Sequence, residues 1–322
     1  MDNLCHTLVG AAIGRAGLRR TTRFASATLM IAANLPDLDV LVFATDTPSI
    51  EFRRGWTHGI LAQLLLPVAL TGIMLLVGRR RAAREAASGS GGEESPPLHA
   101  GWLLALAYIG IYSHVFLDFL NNYGVRLLTP FSWRWFYGDA VFIIDPWLWL
   151  TCGLGVWLSR RWRSPRPAQI AVLVAALYVG GMLVSARSAR AIVIDAWRGE
   201  HGAAPQALMV GPQPVTPFGK QVIVDAGTHY RVGEFHWLGE PRVTFSPDEI
   251  PKNAARAEAR QARETPPFRS FLVWSRFPFY ELRDAQGGTR VVVGDMRFSL
   301  PNPLRAAIGN SRFTASVVIP RE

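Results

Sequence analysis

Six apolar segments, at about residues 4–18, 24–44, 59–78, 101–121, 141–158 and 168–186, fill the first 186 positions of the chain. The third to the sixth approach the roughly 20 residues a helix needs to cross a hydrocarbon core. The first is shorter and reads as a partial span or an interfacial helix. The second ends in Asn34-Leu35-Pro36-Asp37-Leu38-Asp39. Pro36 has no N–H and disfavours helix at Leu35, so a broken or restarted helix is expected there. Such a break is tolerated at membrane depth where it lines a polar cavity. From about residue 206 the period changes. Short β-prone runs at 221–224, 270–274 and 290–293 alternate with Gly and Pro turns, and 284–288 reads as a hairpin loop. A stretch near 252–264, rich in Ala, Arg and Glu, is helix-prone. No internal repeat is visible. The pattern predicts a mainly α fold. A polytopic transmembrane helical domain (1–186) is followed by a linker or helix extension (187–205) and a small β-rich extramembrane domain (206–322).

Composition supports this reading. Hydrophobic residues make up 49% of the chain and charged residues 18%, with 11 Trp. The formal net charge of +10 is carried almost wholly by arginine. A basic balance can indicate nucleic acid, but here the arginines flank apolar segments, as the positive-inside rule requires, and no nucleic-acid partner is expected. Arg15, Arg19, Arg20, Arg23, Arg79, Arg80, Arg81, Arg84, Arg160, Arg161, Arg163 and Arg166 fall on one side, against Arg53, Arg54, Arg126, Arg134, Arg187 and Arg190 on the other. The richer side is expected to be cytoplasmic, which places the N-terminus and the β-rich domain outside the cytoplasm, in a bacterial inner membrane. Residues 79–100 then form a flexible cytoplasmic loop. Trp133, Trp135, Phe136 and Tyr137 read as an exposed interfacial belt. No cleavable signal peptide is expected. Cys5 and Cys152 read as buried small hydrophobes, not a disulfide.

The chemistry lies in ionisable residues within or beside the apolar runs: His6, Asp37, Asp39, His58, His114 and Asp118. His114 and Asp118 stand four apart, one turn of helix, on a common face. Under the arginine topology all six arrive at one depth on the outer side. Intramembrane ionisable groups mark functional sites by default, and imidazole with carboxylate is the donor set of zinc and similar divalent ions. Each has a plainer alternative: an interhelical hydrogen bond for His114 and Asp118, a helix cap for Asp37, and a capping or interfacial role for His58. After the Pro36 break, Asp37 and Asp39 can converge, or one can bind metal while the other orients a ligand. Arg53 and Arg54 suit an anionic headgroup, or act as snorkelling anchors. Asp139 and Asp145 read as supporting groups around the ligands, with a turn role equally open for Asp145. His99, His201, His229 and His236 read as ordinary loop or surface residues.

His6-Thr7…Gly10, Pro36-Asp37-Leu38-Asp39, Arg54-Gly55-Trp56-Thr57-His58, His114…Asp118, Tyr123-Gly124, 129–132 and Ile144-Asp145-Pro146 together resemble the YdjM-type family, described as predicted membrane-bound metal-dependent hydrolases. The resemblance covers about residues 1–185. Arg53 departs from it, standing where the family often has a histidine. The family's distant similarity to zinc-dependent phospholipases C implies phosphoester hydrolysis.

The expected function is a membrane-bound metal-dependent hydrolase. Its divalent ion, zinc by donor type, is held by the six His and Asp side chains. The Asp37/Asp39 pair offers a general base, and Arg53 and Arg54 steady a lipid or lipid-linked anionic substrate. The alternative is a non-enzymatic membrane protein with a structural metal site and an outer domain that binds a protein partner. A transporter is less favoured, because the ionisable residues cluster on one side.

Overall fold

A computed structural model describes residues 1–45, 47–88, 96–298 and 313–321. Two compact units emerge, one of Met1–Leu41 with Arg53–Ser185, the other of Val42–Phe52 with Ala186–Glu322.

In the first unit, helix α1 (Asn3–Arg15) starts where the Asp2 carboxylate accepts from the Cys5 N–H. Helix α2 (Ala25–Ala32) is followed by a 3-10 segment, Leu35–Ala44, and the two axes differ by 49°. The break falls at Pro36, as the sequence leads one to expect. The short helix α3 (Ser49–Phe52) belongs to the second unit. Helix α4 (Ile60–Ala87) and helix α5 (Ala100–Phe119) then pack on each other and on α2. Ala32, Leu70, Met74, Leu103, Ala107, Ile111 and Val115 form the seam. The approach of α5 to α2 is close: a Cβ on Gly110 would lie 2.5 Å from that of Ala32. Helix α6 (Pro146–Arg161) starts with proline at its first position, capped by Asp145, and packs on α1 through Cys152 and Val156. Helix α7 (Arg166–His201) runs on into the second unit.

Helices α4, α5 and α7 are long and apolar enough to cross a membrane, and the bent pair can form a fourth span. Large apolar side chains such as Leu65, Ile73 and Leu177 point outward from these helices, as lipid contact requires. Two expectations change. The segment 141–158 yields only the 16 residues of α6, about 24 Å of helix and short of a span, because 141–145 stay non-helical up to the cap. The segment 79–100 is no loop as far as Ala87: α4 continues through its Ala, Arg and Glu residues, with Arg81 and Glu85 paired at 3.2 Å across one turn. The Gly/Ser part of that segment, 89–95, lies outside the described residues.

The second unit carries two antiparallel sheets. In the first, β1 (Ala207–Pro212), β2 (Gly219–Asp225), β3 (His229–His236) and β4 (Val243–Pro251) follow in sequence order. Its one face covers Ala189, Val193 and Trp197 of α7 with Leu208, Val210, Val222, Val224 and Phe235. Helices α8 (Ala257–Arg263) and α9 (Pro266–Trp274) precede the second sheet, β5 (Pro278–Ala285), β6 (Gly288–Asp295) and β7 (Thr314–Pro320). The expected strands at 221–224 and 290–293 and the hairpin turn at Gln286-Gly287 are present, Gly287 at φ +81°. The run 270–274 is helix instead. Phe268, Phe271 and Trp274 recur every three residues behind Pro266 and Pro267, and together they bury one face of α9. Cys5 and Cys152 are free and buried, as expected.

Candidate metal centre

Three segments bring four candidate ligands together. The break after α2 delivers Asp37, the turn before α4 delivers His58, and one face of α5 delivers His114 and Asp118. All four are buried, and each offers one donor atom within 4.8 Å of the others. His58 Nε2 lies 3.1 Å from His114 Nε2 and 3.2 Å from Asp118 Oδ2. His114 Nε2 lies 3.6 Å from Asp118 Oδ2 and 3.8 Å from Asp37 Oδ1.

The surroundings fix how the rings present themselves. His114 Nδ1 donates to the Ala33 carbonyl at 2.8 Å. A carbonyl only accepts, so Nδ1 carries the hydrogen and Nε2 keeps its lone pair facing the cluster. His58 Nδ1 meets Thr57 Oγ1 at 3.0 Å, and that hydroxyl lies 3.2 Å from Asp39 Oδ2. Asp39 therefore sits behind His58 and outside the group of four. Its Oδ2 also accepts the Arg54 N–H at 2.7 Å. Asp37 thus lies in the cluster, and Asp39 lies behind it on Thr57 and the Arg54 N–H.

His6 approaches the group of four from α1. Its ring stacks on His114 with centroids 3.8 Å apart, and Nε2 is 3.3 Å from Asp118 Oδ1. Fully buried, it has no hydrogen-bond partner for either ring nitrogen among the described residues. An orphaned buried imidazole beside a carboxylate fits a metal ligand, since leaving such a group unpaired is costly. The donor chemistry of the site thus suits a divalent ion. The Met1 amino group also lies against Asp118 Oδ1.

The two arginines differ. Arg54 is buried, and its fork grips Asp118, Nε to Oδ2 at 3.1 Å and Nη2 to Oδ1 at 3.1 Å. Nη1 reaches Asn121 Oδ1 at 3.0 Å, and the guanidinium lies 4.7 Å from the Tyr123 ring centre. Its backbone takes a left-handed φ of +55°, pinned by Asp39 at its N–H and by the Arg126 N–H (2.9 Å) at its carbonyl. Arg53 is more open, its side chain 28% exposed, with Nε 3.5 Å from Asp39 Oδ1.

Asp145 stands elsewhere. It caps α6 at Leu148 (3.0 Å) and accepts the Tyr178 hydroxyl (2.8 Å), so the turn role open to it is the one its contacts show. Asp139 is half-buried with φ +49° beside the end of α5. Neither belongs to the group of four. The aromatic belt is also altered: Trp133 is exposed, but Trp135, Phe136 and Tyr137 are half-buried. Phe136 bridges to Val125, and the buried Arg126 guanidinium lies over both Trp133 and Trp135. The same guanidinium packs on Gly55, where a Cβ would come within 2.6 Å of Nη2. Sequence reasoning missed Arg126, Thr57 and Asn121 as supports of the site. Gly55 between Arg54 and Trp56 was the one visible signal of a close neighbour.

No solved structure matches the chain. The Uncharacterized protein YfhP of Bacillus subtilis (strain 168) is similar, 26% identical over an alignment of 172 positions that covers 49% of this chain and 47% of that protein. The chain thus spans about half the length of the curated relative it matches. The family model described as YdjM inner membrane protein matches residues 1–189, more than half of the chain and all four residues of the candidate cluster, and the chain belongs to that family.

Proposed function

We propose that the protein is a membrane-bound metal-dependent hydrolase acting on a phosphoester or lipid-like substrate at the outer face of the inner membrane. The observation that carries this reading is the convergence of acceptor atoms. The His114 Nε2 lone pair, His58 Nε2 and the Asp118 and Asp37 oxygens converge in a buried space, a donor set that suits a divalent ion beside the Arg54 and Met1 cations that already meet Asp118. His58, His114, Asp118 and one oxygen of Asp37 would hold the ion, with His6 as a further ligand on the Asp118 side. A bound zinc or similar ion would supply Lewis acidity to the substrate and acidify a water.

The protein groups divide the remaining work. Asp37 keeps its second oxygen for the proton of the attacking water. Asp39, through Thr57, holds His58 in the tautomer that presents Nε2. Arg54 neutralises Asp118 and fixes its two oxygens. Arg53, the more open guanidinium, pairs with the anionic part of the substrate. The arginine balance supports the outward orientation of site and C-terminal domain. A substrate within the bilayer would arrive by lateral diffusion.

Turnover of a panel of phosphodiesters and phospholipids by detergent-purified protein tests the proposal. Wild type is expected to hydrolyse at least one class, and Asp37→Asn to retain metal and lose turnover. Metal without turnover on any class overturns the hydrolase and favours the second reading, a structural metal site in a protein that binds a partner through its C-terminal domain. The observation behind that second reading is burial, since none of the four cluster residues exceeds 5% exposure.

A further inference from the structure

The second sheet ends in a strand with an open side. Strand β7 pairs with β6 alone, and Thr314–Pro320 carries no charged residue. The direction of its backbone groups follows from the hairpin beside it. The Gln286-Gly287 loop closes on Ala285 and Gly288, and so short a loop makes that a hydrogen-bonded pair. In step with it, the Met296 N–H donates to the Phe277 carbonyl at 3.0 Å. Gly288, Arg290 and Val292 of β6 therefore turn their backbone groups to β5, and Thr289, Val291 and Val293 turn theirs to β7. The β7 partners of those three are Ile319, Val317 and Ala315. The N–H and C=O groups of Ser316 and Val318 point the other way, and they have no hydrogen-bond partner among the described residues.

The other sheet edges of this unit are capped or guarded. On β1 the Leu208 carbonyl accepts from Arg190 Nη1 at 2.9 Å and from Arg276 Nη2 at 3.4 Å. On β5 the Tyr280 N–H donates to the Lys252 carbonyl at 3.0 Å, and the Tyr280 carbonyl accepts from Asn253 Nδ2 at 2.8 Å. Strand β4 carries Pro247 where its register with β3 shifts, with Asp248 and Glu249 exposed beside it. Proline, charge and covering groups are the devices that keep a sheet edge from pairing. Before Pro320, β7 has neither proline nor charge, and Ser316 and Val318 are exposed.

We propose that β7 is a dimerisation edge, pairing antiparallel with β7 of a second copy of this chain about a two-fold axis at Val317. An antiparallel edge is self-complementary, so the pair closes on itself. In this register Ser316 of each copy faces Val318 of the other, and about four backbone hydrogen bonds form at the centre. No charge opposes another along the strand. Ala315 comes opposite Ile319 of the second copy, a small side chain against a large one. Beside Ala315 lies a groove of about 400 Å³, lined by Ile50, Pro267, Phe271 and Thr314, with room for that larger side chain. The match of Ala315, groove and Ile319 is what favours a strand of this same sequence as the occupant. The proposal is independent of the hydrolase reading.

Cross-linking and sedimentation of the full-length protein provide the test. Oxidation of Val317→Cys in phosphatidylcholine/phosphatidylglycerol vesicles should give a disulfide-linked dimer, because a non-hydrogen-bonded pair sets its Cα atoms about 4.5 Å apart. The wild type, whose two cysteines are buried, should stay unlinked, and Val318→Cys, offset from its own counterpart, should link several-fold less. Val318→Pro removes an outward N–H and spares the bonds to β6. It should turn the detergent-purified dimer into a monomer, with the β5 and β6 amides still protected from hydrogen exchange. A monomeric wild type overturns the proposal. So does a dimer that persists in Val318→Pro, which would place the interface elsewhere. Slow exchange of the Ser316 and Val318 amides in a monomer overturns it as well, since the chain itself would then fill the edge.

Discussion

Each unit buries a carboxylate in the grip of an arginine, and the two sites differ in what surrounds the pair. In the C-terminal unit, Asp295 accepts from the Ser275 hydroxyl, the Arg276, Phe277 and Arg297 backbone N–H groups and the Arg297 side chain, at 2.6–3.1 Å. Arg297 in turn donates to the Trp274 carbonyl and stacks on its ring. Every partner of Asp295 is a donor. Burial alone would raise its carboxyl, but the Arg297 guanidinium and the backbone donors outweigh that and hold it below the usual range. In the membrane unit, Asp118 has its arginine too, yet it also faces His6, His58, His114 and Asp37. Imidazole and carboxylate groups gather around it, beside the Arg54 and Met1 cations. A buried arginine–carboxylate pair is thus a structural tie by default, and converging imidazole and carboxylate groups beside one make a group that could hold a cation.

The comparison breaks most sharply at Asp295. Asp295→Ala leaves Arg297 buried without its partner, at a cost of about 3–5 kcal/mol. It should unfold the C-terminal unit, read as loss of amide protection in β5 and β6 by hydrogen exchange, while metal content stays at the wild-type level. Loss of metal in this variant would mean that the two sites are not separate. The same carboxylate contributes stability that is present above its unfolded value of about 3.9 and lost as pH falls through its lower folded value, so β5 and β6 should lose protection at acid pH first.

Lys220 is a second contrast within the C-terminal unit, a buried cation whose Nζ has no hydrogen-bond partner among the described residues. Burial pushes its ammonium down to about 8. The unfolded chain therefore binds more protons between that value and about 10.4, and stability should rise with pH across this window. At pH 7 the unpaired charge costs on the order of 3 kcal/mol. Lys220→Met should recover most of that and flatten the rise, as measured by the denaturant midpoint of β2 protection. An unchanged slope would show that Lys220 does not titrate there.

Smaller effects probe the supports of the metal centre. Thr57→Val cuts the link from His58 to Asp39 and should weaken metal affinity by about 10–100-fold without loss of fold. Equal affinity in a competition titration with a chelator would remove Asp39 from the site's working parts.

Much of the centre was legible because ionisable residues are conspicuous in apolar runs. Asp37, His58, His114 and Asp118, which the fold brings together, were among the six residues named, and a break beside Pro36 could be foreseen. Their division was not legible. Whether Asp39 or Asp37 joins the cluster depends on the φ of Arg54 and on Thr57, and whether Arg54 meets substrate or Asp118 depends on a contact 64 residues away. No local pattern encodes either. The same limit explains Asp145, whose partner Tyr178 lies on another helix. In the C-terminal unit, 270–274 looked like a strand because Phe, Leu, Val and Trp favour sheets, and the three-residue spacing from Phe268 to Trp274 overrode that preference.

The most direct test of the central claim is the metal content of detergent-purified wild-type protein, measured by elemental analysis beside His114→Ala and Asp118→Ala. The converging imidazole and carboxylate groups predict stoichiometric divalent metal in the wild type and little or none in either variant, with α-helical content retained. A folded wild type without metal, even after incubation with zinc, would contradict it and leave Asp118 with Arg54 as a structural tie like that of Asp295 with Arg297.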